Sequence, residues 1–261
     1  MTDTWNPVQY DKFKREREQP FVDLLALIRP VPGMRIVDLG CGTGALTRQL
    51  HERLQARETT GIDLSPRMLE AAQRESLPAG LRFEPGSIES FPSDGAGTYD
   101  LVFSNAAFHW VEDHKSLIAR LVAALAPSGQ LAFQVPALHD DASHRVAEEL
   151  TGVEPFRSAF AGWHRPQPVL TPNAYASLLY RLGLHEPRVR LIVYPHVLAG
   201  PEDVVEWMKG TLLAEYVRRL PADLRKRFVE AYRTRLLPQL DGSRPFFFPF
   251  PRILCWGQGT G

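Results

Sequence analysis

Cysteine is scarce: Cys41 and Cys255 are the two in 261 residues, one inside a glycine-rich stretch and one near the carboxyl end. Two such distant thiols make neither a disulfide framework nor a metal-ligand set, so both are expected to be free. An excess of either charge is also lacking, since Lys plus Arg and Asp plus Glu number 30 each, and no general attraction for nucleic acid or anionic lipid is encoded. No run reaches the roughly 20 apolar residues of a membrane-spanning helix. The start, MTDTWNPVQYDKFKRERE, is polar where a secretory signal has an apolar core. Fixed-period repeats and low-complexity tracts are missing as well. A cytoplasmic globular chain is expected, and at 44% hydrophobic residues it can bury a core as one domain with an inserted subdomain.

What is abundant is strand-like runs alternating with helical ones. QPFVDLLALI spaces Phe21, Leu24, Leu25 and Ile28 at helical intervals and stops at Pro30 to Gly33. MRIVDLG reads as a strand and ALTRQLHERL as a helix with Leu46, Leu50 and Leu54 four residues apart. The unit repeats in TTGIDL and SPRMLEAAQRE, where Ser65 is an N-cap and Pro66 opens the helix. LRFEPGS and YDLVFSNAAF follow as strands, DHKSLIARLVAAL as an amphipathic helix, and Pro127, Ser128 and Gly129 turn the chain into QLAFQVP. This alternation predicts an α/β fold with right-handed crossovers and a mostly parallel, doubly wound sheet.

Past Pro136 the rhythm changes. Residues 138–187 and 201–240 are richer in charge, aromatics and proline, with helices predicted at NAYASLLYRLGL, PEDVVEWMKGTLL and PADLRKRFVEAYRTRLL. Residues 188–200 and 246–257 carry strand-like runs. The expectation is therefore a core at 31–137, the two late strands added to its sheet, and a helical cap over the sheet's carboxyl edge.

In RIVDLGCGTGALTRQL, Gly40, Gly42 and Gly44 follow the first strand. Two cofactor classes use such a loop. Dinucleotide proteins place a pyrophosphate on the helix N-terminus, and Ala45 at their third glycine position does not exclude them. Asp38, two residues before the first glycine, favours one of them. Its carboxylate opposes a pyrophosphate but suits S-adenosylmethionine, whose sulfonium and ammonium outweigh one carboxylate. Asp63, at the end of the second strand, can accept ribose hydroxyls in either class.

VDLGCGTG, GIDLSPRML, SNAAFHWV and LAPSGQLAFQVP together resemble the class I S-adenosylmethionine-dependent methyltransferases over residues 34–136. The resemblance implies a Rossmann-like seven-stranded sheet with an antiparallel last strand, and an amino-terminal segment, residues 1–30, that closes over the cofactor. It implies that Gly40, Cys41, Gly42 and Gly44 line the methionine part, that Asp63 holds the ribose, and that Leu64 and Met68 lie against the adenine. Ser87 stands where the family usually has an aspartate for the adenine amino group, which shifts recognition toward Ile88 and apolar packing. Asn105 matches a position facing the methionine end.

The flanks WNPVQYDKFKREREQP, DVVEWMKGTLL and FPRI are similar to the branch of that family that methylates a carboxylate of a small polycarboxylic acid such as trans-aconitate. An ionised carboxylate is its own nucleophile, so no dedicated general base is required. The acid's charges must meet cationic or hydroxyl donors. Candidates are Tyr10, Phe13 and Arg17 near the start, Tyr175, Trp207, Arg244 and Arg252 later, and His109 and Trp110 lining the site after the fourth strand. The partner is then a small acid, S-adenosylhomocysteine is the product, no metal is called for, and the chain acts as a monomer or weak homodimer. Three readings stay open beside this one: a hydroxyl, amine or carbon acceptor with His109 as base, a nicotinamide-dependent oxidoreductase, and a non-catalytic cofactor-binding regulator.

Overall fold

The computed structural model describes residues 14–74, 76–91 and 97–261. Helix α1 (Lys14–Leu25) leads to β1 (Arg35–Leu39), α2 (Ala45–Arg53), β2 (Glu58–Asp63), α3 (Pro66–Ala72), β3 (Leu81–Pro85) and β4 (Tyr99–Asn105). Helix α4 (His114–Ala123), β5 (Leu125–Pro136), α5 (Ala142–Thr151), α6 (Phe156–Phe160), α7 (Pro172–Arg181) and β6 (His185–Leu198) follow. Helices α8 (Glu202–Lys209), α9 (Leu212–Arg219) and α10 (Ala222–Leu236) then precede β7 (Phe246–Gln258).

The seven strands form one sheet in the order β3-β2-β1-β4-β5-β7-β6. Strands β1 to β5 pair in parallel, and β7 runs antiparallel to β5. Strand β1 is buried from Ile36 to Leu39, and Leu101, Val102 and Phe103 of β4 are fully buried beside it, as expected of parallel strands covered on both faces. Helix starts follow the local chemistry. Ser65 Oγ accepts from Met68 N–H ahead of Pro66, Asp113 accepts from Lys115 and Ser116, and Thr171 caps α7 ahead of Pro172. Among the described residues no helix is long and apolar enough to cross a membrane.

Three details differ from the periodicity. Helix α1 is already formed at Lys14, where the described residues begin, and ends at Leu25, short of Ile28. Pro127, Ser128 and Gly129 lie within β5 as a local irregularity, with a register shift against β4 and Ser128 at φ 59°. Helix α7, expected in the cap, groups with the core.

The chain divides into two compact units, the first comprising residues up to Pro136 with Pro168–Ile192 and Arg252–Gly261, the second Ala137–Gln167 with Val193–Pro251. Tyr175 on α7 explains its grouping: it is fully buried, packs edge-on against Phe133 of β5, and shares a hydrogen bond with His114 Nδ1. The second unit is built on aromatics. Phe228 of α10 meets Phe156 and Phe160 edge-on at 5.1 and 5.7 Å and stacks on Tyr216 at 5.6 Å. Glu148 accepts from Tyr216 Oη and from the Arg165 backbone, and pairs with His164.

Candidate active site

The loop after β1 is tied to the end of β2. Gly40 and Cys41 N–H both donate to Ile62 O, at 2.8 and 3.0 Å. Gly42 N–H donates to Asp63 Oδ2 at 2.9 Å, and Ser65 N–H to Asp63 Oδ1 at 2.8 Å. Asp63 therefore fixes the loop with both oxygens and keeps lone pairs for further donors, since a carboxylate offers about four acceptor sites.

Two glycines are needed for reasons the structure makes explicit. Gly40 has φ 78°, and a Cβ there would lie 2.3 Å from Ala107 Cβ and 3.4 Å from Ile88 Cδ1. Gly44 has φ 74°, and a Cβ would lie 2.5 Å from Phe83 Cζ. Both adopt a backbone that disfavours side chains. The approach of Ala107 and Ile88 to Gly40 also shows that the loops after β1, β3 and β4 converge at one point.

Asp38 ends up 3% exposed. Thr47 Oγ1, on α2, donates to its Oδ2 at 2.6 Å, while its Oδ1 is buried without a hydrogen-bond partner. Burial pushes the Asp38 carboxyl up to about 7; Thr47 opposes the rise and the nearby Asp63 adds to it. A buried acceptor left without a donor, beside a second carboxylate, is the environment a cationic ligand relieves and a pyrophosphate worsens. S-adenosylmethionine fits these residues. Burial, then Asp38 and Asp63, push the Cys41 thiol up, and burial does the same to Cys255; both cysteines are free.

The remaining cofactor candidates are placed as follows. Leu64 is 68% exposed at the end of β2, while Met68 is buried on α3. Ser87 Oγ accepts from Glu89 N–H at 3.2 Å, so its hydroxyl holds its own turn. Asn105 closes β4, its Oδ1 accepting from Gln134 Nε2 at 2.8 Å. Ala106 follows at φ 58°, one of the few non-glycine residues in this strained region. His109 and Trp110 form a short turn of 3-10 helix just after β4, both partly buried, with rings 4.8 Å apart.

The acid-binding candidates are described one by one, each within its own unit. Tyr10 and Phe13 lie outside the described residues, as does the side chain of Arg17 on α1. Tyr175 belongs to the core described above, its hydroxyl engaged by His114. Trp207, 4% exposed, stacks on His196 at 4.8 Å within the second unit. Arg244 is exposed and forks onto both oxygens of Glu202 at 2.6 and 2.8 Å. Arg252, unlike Arg244, is buried: it is 2% exposed, pairs across the sheet with Pro136 at the carboxyl end of β5, and donates to Gln134 Oε1 at 3.2 Å. Sequence reasoning missed Thr47 and Gln134. Thr47 leaves no pattern signal, but a glutamine inside the apolar run QLAFQVP does. Among the described residues no cluster of His, Cys, Asp or Glu is placed to hold a metal ion.

A methyltransferase domain family matches residues 36–129. The fold is shared with the YcgJ protein of Bacillus subtilis, at a TM-score of 0.61 and 16% identity over 94% of this chain and 99% of that one. It is also shared with a Haemonchus contortus phosphoethanolamine N-methyltransferase 2 solved with S-adenosyl-L-methionine, at 0.54 and 15% over 93% and 53%. Sheet order, glycine loop and paired carboxylates together define an S-adenosylmethionine-dependent methyltransferase. Over almost the whole length, the chain is 44% identical to trans-aconitate 2-methyltransferase of Deinococcus radiodurans, covering 96% of each. It is 38% identical to that of Variovorax paradoxus, covering 97% of this chain and 98% of the other. The chain belongs to the trans-aconitate 2-methyltransferase family.

Proposed function

We propose that the chain transfers a methyl group from S-adenosylmethionine to a carboxylate of trans-aconitate or a closely similar short polycarboxylic acid, giving a monomethyl ester and S-adenosylhomocysteine. The end-to-end similarity to trans-aconitate 2-methyltransferases carries this reading. When bound, the cofactor supplies an electrophilic methyl on sulfur. Asp38 would face its positive charge, Asp63 would accept from the ribose, and Gly40, Cys41, Gly42 and Gly44 would admit the methionine part close to the backbone. Leu64, Met68, Ile88 and Ser87 would border the base, and Asn105 the methionine end.

The protein need supply no general base, because a carboxylic acid with an ordinary pKa of about 4 is ionised at neutral pH. Its residues bind, align and exclude water, the contributions an in-line displacement needs. Arg252 is the favoured partner for an acceptor carboxylate, since a buried guanidinium can bind one bidentately. His109 and Trp110 would form a wall. The same reading has the enzyme acting on a small acid in the cytoplasm as a monomer or weak homodimer, without nucleic acid or membrane. Incubating purified protein with methyl-labelled cofactor and a panel of acids, phenols, amines and lipids tests it. A base-labile ester on trans-aconitate is the expected product; label appearing only in phenols, amines or lipids overturns the acceptor.

A further inference from the structure

Gln134 of β5 pairs in register with Asn105 of β4 and is 1% exposed. It makes two side-chain hydrogen bonds of opposite sense. Its Oε1 accepts from Arg252 Nη1 at 3.2 Å, and its Nε2 donates to Asn105 Oδ1 at 2.8 Å. The direction of this chain follows from its first member. A guanidinium has donors only, so the oxygen of Gln134 has to face Arg252. Its nitrogen then faces Asn105, and Asn105 must answer with its oxygen. The two hydrogens of Asn105 Nδ2 are thereby turned away from Gln134.

The end of the chain lies at the glycine loop. Asn105 is partly buried, Ser104 Oγ donates to Leu39 O at 2.8 Å, and Ala107 occupies the space a Cβ on Gly40 would need. Gln134 also holds the segment through its backbone, its carbonyl accepting from Ala106 N–H at 3.0 Å. A fixed donor at this place suits an anionic acceptor. We propose that Gln134 is a positioning residue that passes the donor-only character of Arg252 to Asn105, so that Asn105 presents N–H donors to a carboxylate at the glycine loop. The inference rests on the methyl-transfer reading above. Two carboxylates meet that description, the one on the methionine part of the cofactor and the one on the acid acceptor.

Gln134→Glu tests it while preserving size. Glutamate keeps the contact to Arg252 but offers Asn105 only acceptors, so Asn105 must turn its nitrogen inward and its oxygen toward the ligand. Calorimetry with S-adenosylhomocysteine reads the cofactor carboxylate, and the KM for trans-aconitate at saturating cofactor reads the acceptor's. Affinity in one arm is expected to fall about 10- to 100-fold, the scale of a lost hydrogen bond to a charged group. Gln134→Met, which leaves Asn105 unbiased, should cost less than Gln134→Glu.

The decisive readout is a double-mutant cycle. In an Asn105→Ala background, Gln134→Glu should have little further effect on the same constant. Unchanged constants in folded Gln134→Glu, or an equal loss with and without Asn105, overturn the proposal. If Gln134→Glu does not fold, the same cycle run with Gln134→Met decides. The underlying reading fails separately: a wild-type protein that binds S-adenosylhomocysteine but esterifies no acid removes the acceptor and leaves the cofactor arm to be scored.

Discussion

Thr47 on α2 and Asp38 at the end of β1 share a 2.6 Å hydrogen bond that satisfies one oxygen of a buried carboxylate and leaves the other facing no donor. The carboxyl value is about 7 in the fold against an ordinary 3.8, so the folded chain holds this proton more tightly than the unfolded one. The resulting stability is fully present below about pH 3.8 and is lost as pH rises through about 7. Asp38→Asn removes the titration. Urea melts of the cofactor-free protein should therefore show wild type losing a few kcal/mol relative to Asp38→Asn between about pH 4 and 7, at roughly 1.4 kcal/mol per unit. Parallel pH profiles of the two proteins would contradict the assignment.

The same proton competes with a cationic ligand. Cofactor affinity should fall by up to about tenfold per unit as pH drops below 7, and Asp38→Asn should flatten that dependence while weakening binding at pH 8. Calorimetric titrations at pH 6 and 8 measure both effects.

Asp63 serves two backbone donors and, on the reading above, the ribose. Asp63→Ala should weaken cofactor binding by roughly 1–3 kcal/mol, the scale for hydrogen bonds to a charged group. A dissociation constant equal to that of wild type would remove Asp63 from the ribose site.

Gly40 and Gly33 separate steric need from backbone strain. Both have φ 78°, but a Cβ on Gly33 meets nothing within 4 Å whereas one on Gly40 collides with Ala107. Gly33→Ala should cost about 1–2 kcal/mol of stability from the left-handed backbone and leave cofactor affinity intact. Gly40→Ala should add the cost of overpacking, about 1–3 kcal/mol, and lose measurable cofactor binding. Denaturant melts with and without S-adenosylhomocysteine compare them.

Tyr175→Phe is expected to be a stability variant. It leaves His114 Nδ1 buried without its partner, a cost of about 1–3 kcal/mol, with kcat/KM unchanged. A raised KM for the acid with unaltered stability would return Tyr175 to the binding site.

Much of the first unit was legible because its signals are local. The run from Asp38 to Gly44 carries its own turn chemistry, Ser65 and Pro66 announce α3, and Leu117 and Leu121 mark the buried face of α4. Interactions that arise only when strands meet were not. Gln134 answers residues 29 and 118 positions away, and nothing in its neighbourhood names either partner. Gln130, four residues earlier, behaves alike, binding the Arg29 backbone and Trp256. Residue type alone does not show that Tyr175 is buried against His114, that Arg244 pairs with Glu202, or that Arg252 is buried against Gln134.

Cys41 stands in the very loop proposed to hold a methylating electrophile, and sulfur is the strongest nucleophile among ordinary side chains once ionised. Burial and two neighbouring carboxylates keep that thiol protonated. The consequence is a damped nucleophile: the sulfur in the glycine loop is biased toward its less reactive, protonated form.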